Sequence, residues 1–390
     1  MLINLRNALM SGKRLPYDAE VEFLESTGTQ YIDVDASKVA TASRYVCYGQ
    51  YMGSSNQAMM WSHGYRGIRS YGGYIGFVTG KYATTNTTVI YDTGCIIDFD
   101  AVSLKGILTS PSGTELANVT IGSSSASGGL RIFAASETAT GYLASQSRLY
   151  FMRVYDAAGN ILFDLIPVRK GTVGYLYDRV SGRLFGNAGT GDFVLGSDVV
   201  PVEYIQSHGT EYIDTAVIPN NDTKVEIKFR TVNYSFYAAV AGVYGGTSYK
   251  CFYPATFLSN NNGQMKSTIG SENTAITFSA PVGTDIDLVF NDNHKLYVNG
   301  SLTGTFTETM GVQTKSMWLY APNGYSTYKC SCKIYYAKVY DNSIPVRSYY
   351  PVRVGTEGAM MDVLTRRIYR NAGTGAFTYG NDLPLGTLAN

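Results

Sequence analysis

Two pairs of carboxylates, Asp98 with Asp100 and Asp285 with Asp287, stand two residues apart, so on a strand each pair would project from one face. Such a pair could cut a glycosidic bond if its members stood about 5 Å apart for a retaining mechanism, or somewhat farther for an inverting one. Each pair adjoins turn-forming residues, however, where solvated carboxylates are ordinary, and hydrolysis is not expected. Of the three histidines, His63, His208 and His294, His208 answers Thr27 of the other copy and His294 falls in a turn, so neither is expected to be a base held by an orienting acid, and no G-x-S-x-G elbow is present. The glycine-rich Gly186-Asn187-Ala188-Gly189-Thr190-Gly191 lacks the Lys-Ser/Thr of a phosphate loop and runs into a strand pattern, so a hairpin turn is expected. Asn291, Asp292 and Asn293, or Asn260, Asn261 and Asn262, could offer oxygens to calcium, but without EF-hand spacing they read as Asx turns. No metal and no cofactor is expected, and no catalytic residue is assigned.

What remains is the chemistry of adhesion. In one half of the chain Trp61, His63, Tyr65 and Arg66 lead on to Tyr71 and Tyr74 among glycines; in the other, Tyr244 and Tyr249, then Asn323, Tyr325 and Tyr328, do the same. Sugar rings stack their apolar faces on aromatics and meet Asn, Arg and backbone amides with their hydroxyls, so these residues are the candidate ligand contacts. They equally suit a protein neighbour. With 33 Tyr against 16 Phe, the composition resembles that of binding loops, although most tyrosines are expected simply to occupy strands.

The elements that would position these residues come in duplicate. Val21-Glu22-Phe23-Leu24-Glu25-Ser26-Thr27-Gly28-Thr29-Gln30-Tyr31-Ile32-Asp33 returns as Val202-Glu203-Tyr204-Ile205-Gln206-Ser207-His208-Gly209-Thr210-Glu211-Tyr212-Ile213-Asp214. Val154-Tyr155-Asp156, Pro167-Val168-Arg169 and Asn187-Ala188-Gly189-Thr190-Gly191 return as Val339-Tyr340-Asp341, Pro351-Val352-Arg353 and Asn371-Ala372-Gly373-Thr374-Gly375. A period of roughly 180 residues is far too long for a solenoid repeat, so each copy is expected to be a domain with its own core. The boundaries read as residues 1–18 for an N-terminal anchoring or oligomerisation segment, 19–198 and 199–382 for the two domains, and 383–390 for a tail. The ends of the copies match and the middles diverge, which places variation in loops. Lys224 to Arg230 alternates charged and apolar side chains, as a strand with one buried face does; Arg44 to Tyr51, Ile96 to Leu108 with an internal turn, Arg148 to Tyr155, Thr284 to Phe290, Lys295 to Asn299 and Lys333 to Tyr340 read likewise. Asn299-Gly300 predicts a type I′ hairpin, and Arg169 and Arg353 are expected to play the same part, pairing with a carboxylate or loop carbonyl. Leu2, Leu5 and Leu9 fall at helical spacing, predicting a short helix over residues 1 to 12.

Composition excludes several partners. A formal net charge of +1 without a dense Lys/Arg run is not the footprint of a nucleic-acid binder. No apolar run reaches the length of a membrane span, and the first residues do not form a signal peptide. The five cysteines, Cys47, Cys95, Cys251, Cys330 and Cys332, are odd in number and unmatched between the copies, which predicts buried free thiols rather than disulfides.

The opening V-E-[FY]-[LI]-x-S-x-G-T-x-Y-I-D, the hairpin ending in Leu296-Tyr297-Val298-Asn299-Gly300, the V-Y-D and P-V-R sequences and the closing N-A-G-T-G-x-F resemble those of concanavalin A-like, laminin-G-like jelly-roll domains. More narrowly they are similar to versions in gut bacterial surface proteins and in gut phage virion proteins, fibre and decoration proteins among them. The resemblance covers about residues 19 to 382. It implies an all-β fold of two tandem jelly-roll sandwiches and a non-enzymatic virion-associated protein that binds host-surface glycan through its loops. Its partners would be glycan, other virion proteins and further copies of itself, with assembly in the host cytoplasm. A purely structural virion protein and a bacterial surface lectin or adhesin remain as alternatives, and a glycoside hydrolase ranks behind them, because the E-x-D-x-x-E type of run used by such hydrolases is missing.

Overall fold

Alternation decides the strands. Thr223–Thr231 buries every second residue, and Asp285–Asp292 and Cys332–Asp341 pair with it on either side. The computed structural model describes residues 15–388 apart from 35–38, 53–57, 72–73, 81–83, 89–92, 112, 125–127, 136–144, 234–237, 245–250, 258–262, 272–273 and 325–327. The expected helix over residues 1 to 12 lies outside them. The described residues form strands and turns with no α-helix, so the all-β expectation holds, and no helix among them is long and apolar enough to cross a membrane. They divide into two compact units, residues 1–199 and 200–388.

In the first unit one antiparallel sheet runs Glu115–Thr120, Lys105–Thr109, Cys95–Asp100, Ala42–Tyr51, Gln146–Asp156. The far side of Gln146–Asp156 is shared, its start pairing with Leu24–Thr27 and its end with Ile161–Lys170. The facing sheet runs Ile32–Val34, Leu130–Ile132, Ala58–His63, Arg66–Tyr71, Tyr74–Thr79, Thr84–Thr88. Their inner faces enclose one core that includes Tyr45, Trp61, Phe77, Phe99 and Phe163.

The second unit repeats this plan. Ser301–Thr305, Lys295–Val298, Asp285–Asp292, Thr223–Thr231, Cys332–Asp341 and Ile344–Val354 form the larger sheet. Ile213–Asp214, Trp318–Leu319, Ala239–Tyr244, Cys251–Phe257, Gln264–Gly270 and Ile276–Ser279 form the smaller one. Its core holds Phe229, Phe252, Phe257, Phe290, Tyr320 and Tyr349. All five cysteines are buried free thiols.

The repeated motifs turn out to be fasteners. Ser26 Oγ donates to the Gln30 carbonyl, 3.0 Å, and accepts from the Gly28 N–H; Ser207, Glu211 and Gly209 make the same loop. The closing N-A-G-T-G is not a hairpin turn, because Leu184–Phe185 pairs with Val173–Asp178 while Val194–Leu195 pairs with Leu24–Thr27. It clasps the opening motif instead. The Tyr31 N–H donates to Asn187 Oδ1 and the Ala188 N–H to the Tyr31 carbonyl, as Tyr212, Asn371 and Ala372 do in the second unit. A Cβ at Gly189 would lie 2.1 Å from the Thr29 carbonyl oxygen, and one at Gly373 would lie 2.3 Å from that of Thr210, so this close approach requires glycine. Arg169 forks onto Asp198, with Nε at 2.6 Å, and Arg353 onto Asp382 at 2.7 Å, each also reaching a glycine carbonyl two residues on.

A less visible repeat is conformational. Phe133 and Tyr320 both hold positive φ, 68° and 69°, a region that bulky residues seldom occupy. Each donates its N–H to the neighbouring strand, to Met60 and Val240 respectively, and receives a bond from a residue near the start of the next long strand. Identical strain at equivalent places fixes the register between the copies without any sequence identity at that point.

Candidate functional site

The aromatic candidates do not assemble. Trp61 and His63 alternate on the inner face of Ala58–His63 and are 0% exposed; Trp61 stacks on Tyr45 with ring centroids 4.5 Å apart. They belong to the core, which corrects the expectation that they contact ligand. Arg66 is half-buried and spends its guanidinium on the carbonyls of Ala42 and Ser124, while Tyr65 is half-buried in the turn beside it. Tyr74 pairs with Tyr71 at the other end of Arg66–Tyr71, five residues away, or about 17 Å along a strand. Tyr74 is 47% exposed. In the second unit Tyr244 and Asn323 are half-buried neighbours, and Asn323 Nδ2 donates to the Ser316 carbonyl. Tyr328 lies beside Ala239, at the opposite end of that strand. Tyr249 and Tyr325 lie outside the described residues, as do the side chain of Tyr71 and Asn260, Asn261 and Asn262.

Polar chemistry is nevertheless present inside the first unit. Tyr45 O–H meets His63 Nδ1 at 2.5 Å, and His63 Nε2 lies 3.2 Å from the Gly128 carbonyl. A carbonyl only accepts, so Nε2 carries the proton and Nδ1 receives the tyrosine hydrogen. Burial pushes the His63 imidazole down to about 4, against a bond to Gly128 that favours its charge, and pushes the Tyr45 phenol up to about 12. Both are neutral near pH 7. Val225 pairs with the strands in the second unit as Tyr45 does in the first, and Val243, also fully buried, follows Val240 as His63 follows Met60.

The carboxylate pairs are occupied. Asp98 is forked by Arg44 and Asp100 is capped by its own turn at Val102 and Ser103. Residues 101–104 are the turn expected inside Ile96 to Leu108. Asp285 is held by Arg230 at 2.5 Å, and Asp287 by the Tyr336 hydroxyl at 2.9 Å.

Among the described residues a polar pocket of about 230 Å³ lies at one end of the second sandwich, made by three loops. Asn221, Asp222 and Lys224 line it from the entrance to Thr223–Thr231. Asn291 to His294 contribute the hairpin into Lys295–Val298, whose turn residues Asn293 and His294 have φ of 51° and 61°, the type I′ geometry. Asn342 and Ser343 contribute a second such hairpin, with φ of 48° and 66°. Asn291 is 6% exposed and also left-handed, at φ 61°. Its Nδ2 donates to the carbonyls of Asn221 and Thr223, which fixes the amide orientation and leaves Oδ1 without a hydrogen-bond partner. A buried acceptor left unmade costs about 1–3 kcal/mol. Lys224 is committed: Nζ lies 3.0 Å from Glu226 Oε1, 4.0 Å from Asp292 and 4.2 Å over the Tyr340 ring. Burial, then the bond that Tyr340 donates to Glu226, pushes this phenol up to about 12.

The same three loops in the first unit are plain. The Ala42 N–H bonds the Val39 carbonyl as the Thr223 N–H bonds that of Asn220, yet Val39 is buried in the core. Leu104 accepts from the Ile121 N–H as His294 accepts from Phe306, and Ala101 and Leu104 pack against the core. Asp156 satisfies itself on the Ala158 and Asn160 N–H groups and the Asn160 side chain. In the sequence Asn291, Asp292 and Asn293 suggest an Asx turn ahead of a calcium site, and His294 a turn residue rather than a base. The missing signal was the alignment of the copies, which turns polar at three separate loops in one copy alone.

No family model matches the chain, and no curated protein matches it. Among solved structures it is similar to domains LG4-5 of the mouse laminin α1 chain, at 11% identity and a TM-score of 0.29 over 86% of this chain and 93% of that one. It is also similar to the binding domain of botulinum neurotoxin DC, solved in complex with rat synaptotagmin II, at 8% identity and a TM-score of 0.19 over 93% of this chain and 89% of that one. At these scores neither likeness bears on function.

Proposed function

We propose that this is a non-catalytic binding protein whose second unit recognises glycan in the pocket formed by Asn221 to Lys224, Asn291 to His294 and Asn342 with Ser343. One observation carries the reading: amide, carboxylate, hydroxyl and imidazole side chains from three separate loops converge on one pocket. Amide and carboxylate groups from three loops suit a ring that carries several hydroxyls. The absence of catalysis is supported by the engagement of Asp98, Asp100, Asp285 and Asp287 in structural bonds.

The setting we propose is a phage virion, on the resemblance of the repeated motifs alone. Display of many copies there would raise a weak single-site affinity through avidity. The test is a glycan array probed with the multivalent chain and with an Asp222→Ala/Asn342→Ala variant, both at pocket positions on exposed turns. Binding by the parent and its loss in the variant is expected, with no cleavage of any polysaccharide. Equal binding by both would move recognition elsewhere.

A further inference from the structure

We infer that the sugar taken by the second unit's pocket carries no negative charge, so that uronic and sialic acids are refused; this rests on the pocket being a glycan site. The inference follows from counting what each group has left to give. Asn291 has spent both N–H hydrogens of its side-chain amide on the Asn221 and Thr223 carbonyls. Asp222 and Asp292 line the same space, and an ionised carboxylate only accepts. The cation among the lining groups that would welcome an anion, Lys224, is already 3.0 Å from Glu226 and 4.0 Å from Asp292. Two carboxylates thus line the pocket against one lysine that is already engaged.

A ligand carboxylate in this space would face Asp222 and Asp292, and like charges at close range are repulsive when partly desolvated. A pocket of about 230 Å³ lies below the usual range for drug-sized ligands, which fits recognition of one ring of a longer glycan.

The experiment is a titration of the ¹⁵N-labelled full chain at pH 7 and low salt, following amide shifts. The probes are matched pairs: glucose with glucuronate, galactose with galacturonate, mannose with mannuronate. At least one neutral sugar is expected to shift the amides of residues 221–224, 291–294 and 342–343, with its uronate at least about tenfold weaker. Asp222→Asn/Asp292→Asn keeps the shape and removes both charges, and is expected to shrink that gap several-fold. A uronate binding as well as its neutral partner, or a gap unchanged in the double variant, would overturn the charge rule and leave the glycan site standing. Absence of shifts at these residues with every sugar would remove the site itself.

Discussion

The two units share a frame and differ at one interior position and at the loops of one end. The first keeps it inside, where Tyr45, His63 and the Gly128 carbonyl form a bonded series around a fully buried tryptophan, and seals its end loops with Val39, Ala101 and Leu104. The second fills the equivalent interior with Val225 and Val243 and sets Asn, Asp, Lys and His on the loops. On the proposed reading the copies have separate tasks: a closed sandwich can spend polar groups on its own core, whereas a sandwich that meets a ligand needs them at the rim. The fasteners common to both, the Ser-Gly-Thr turn with its N-A-G-T-G clasp and the forked Arg169 and Arg353, belong to neither task, which is why they repeat.

The largest expected effect breaks the first interior. Trp61→Ala should cost about 3–5 kcal/mol, visible in hydrogen exchange as faster opening of Ala42–Tyr51 and Cys95–Asp100, while Thr223–Thr231 keeps its protection. Equal loss in the second unit would erase the separation.

Acid should follow. Unfolded His63 takes a proton near 6.5, but the folded residue does so only near 4. As pH falls below 6.5 the unfolded chain binds more protons than the folded one, so the first unit loses stability until about pH 4. Glu211 behaves differently. Burial would raise its carboxyl, but the His208 N–H and the Thr210 and Ser207 hydroxyls outweigh that and hold it below its ordinary 4.5. Its contribution is present above that value and is lost only as pH falls through the depressed one. Exchange at pH 5 should therefore show the first unit softened and the turn at Glu211 intact; the reverse order would contradict the assignment of both groups.

Swapping one residue of the shared turn sharpens this. Gln30 and Glu211 hold the same place, with a Thr27 or His208 N–H donated to the side-chain oxygen at 2.9 and 2.8 Å. Glu211→Gln should cost the second unit about 1–2 kcal/mol, because bonds to a charged acceptor are the stronger ones, and should remove that turn's acid sensitivity, as read by thermal melts at pH 3 and pH 7. Smallest of all, Tyr74→Ala should change stability by less than about 0.5 kcal/mol, as an exposed residue does, and leave glycan binding unaltered.

Much of the frame was legible because period-two alternation and duplicated motifs are local signals. Lys224 to Arg230 announces its faces, and Asn299-Gly300, with φ of 49° and 79°, announces its turn. The clasp was not legible, since its partners, Asn187 and Tyr31, meet across the whole domain. Trp61 misled because glycines on either side suggest a loop, whereas Gly67 lies within a buried strand. The surface tryptophan is instead Trp318, stacked at 4.1 Å on Tyr212 and half-buried. The pocket was hidden for another reason: Asx-rich turns are common, and only their convergence from three distant segments distinguishes this set from ordinary ones.

The central claim is that ligand recognition resides in the second unit's end loops and not in the aromatic segments of the first. It is tested most directly by mapping amide shifts across the intact chain as the tightest-binding glycan from the array is added. The expected result is a cluster of shifts at residues 220–224, 291–294 and 342–343, with residues 61–74 silent. Shifts centred on Tyr65, Arg66 or Tyr74 with a silent second-unit pocket would contradict it.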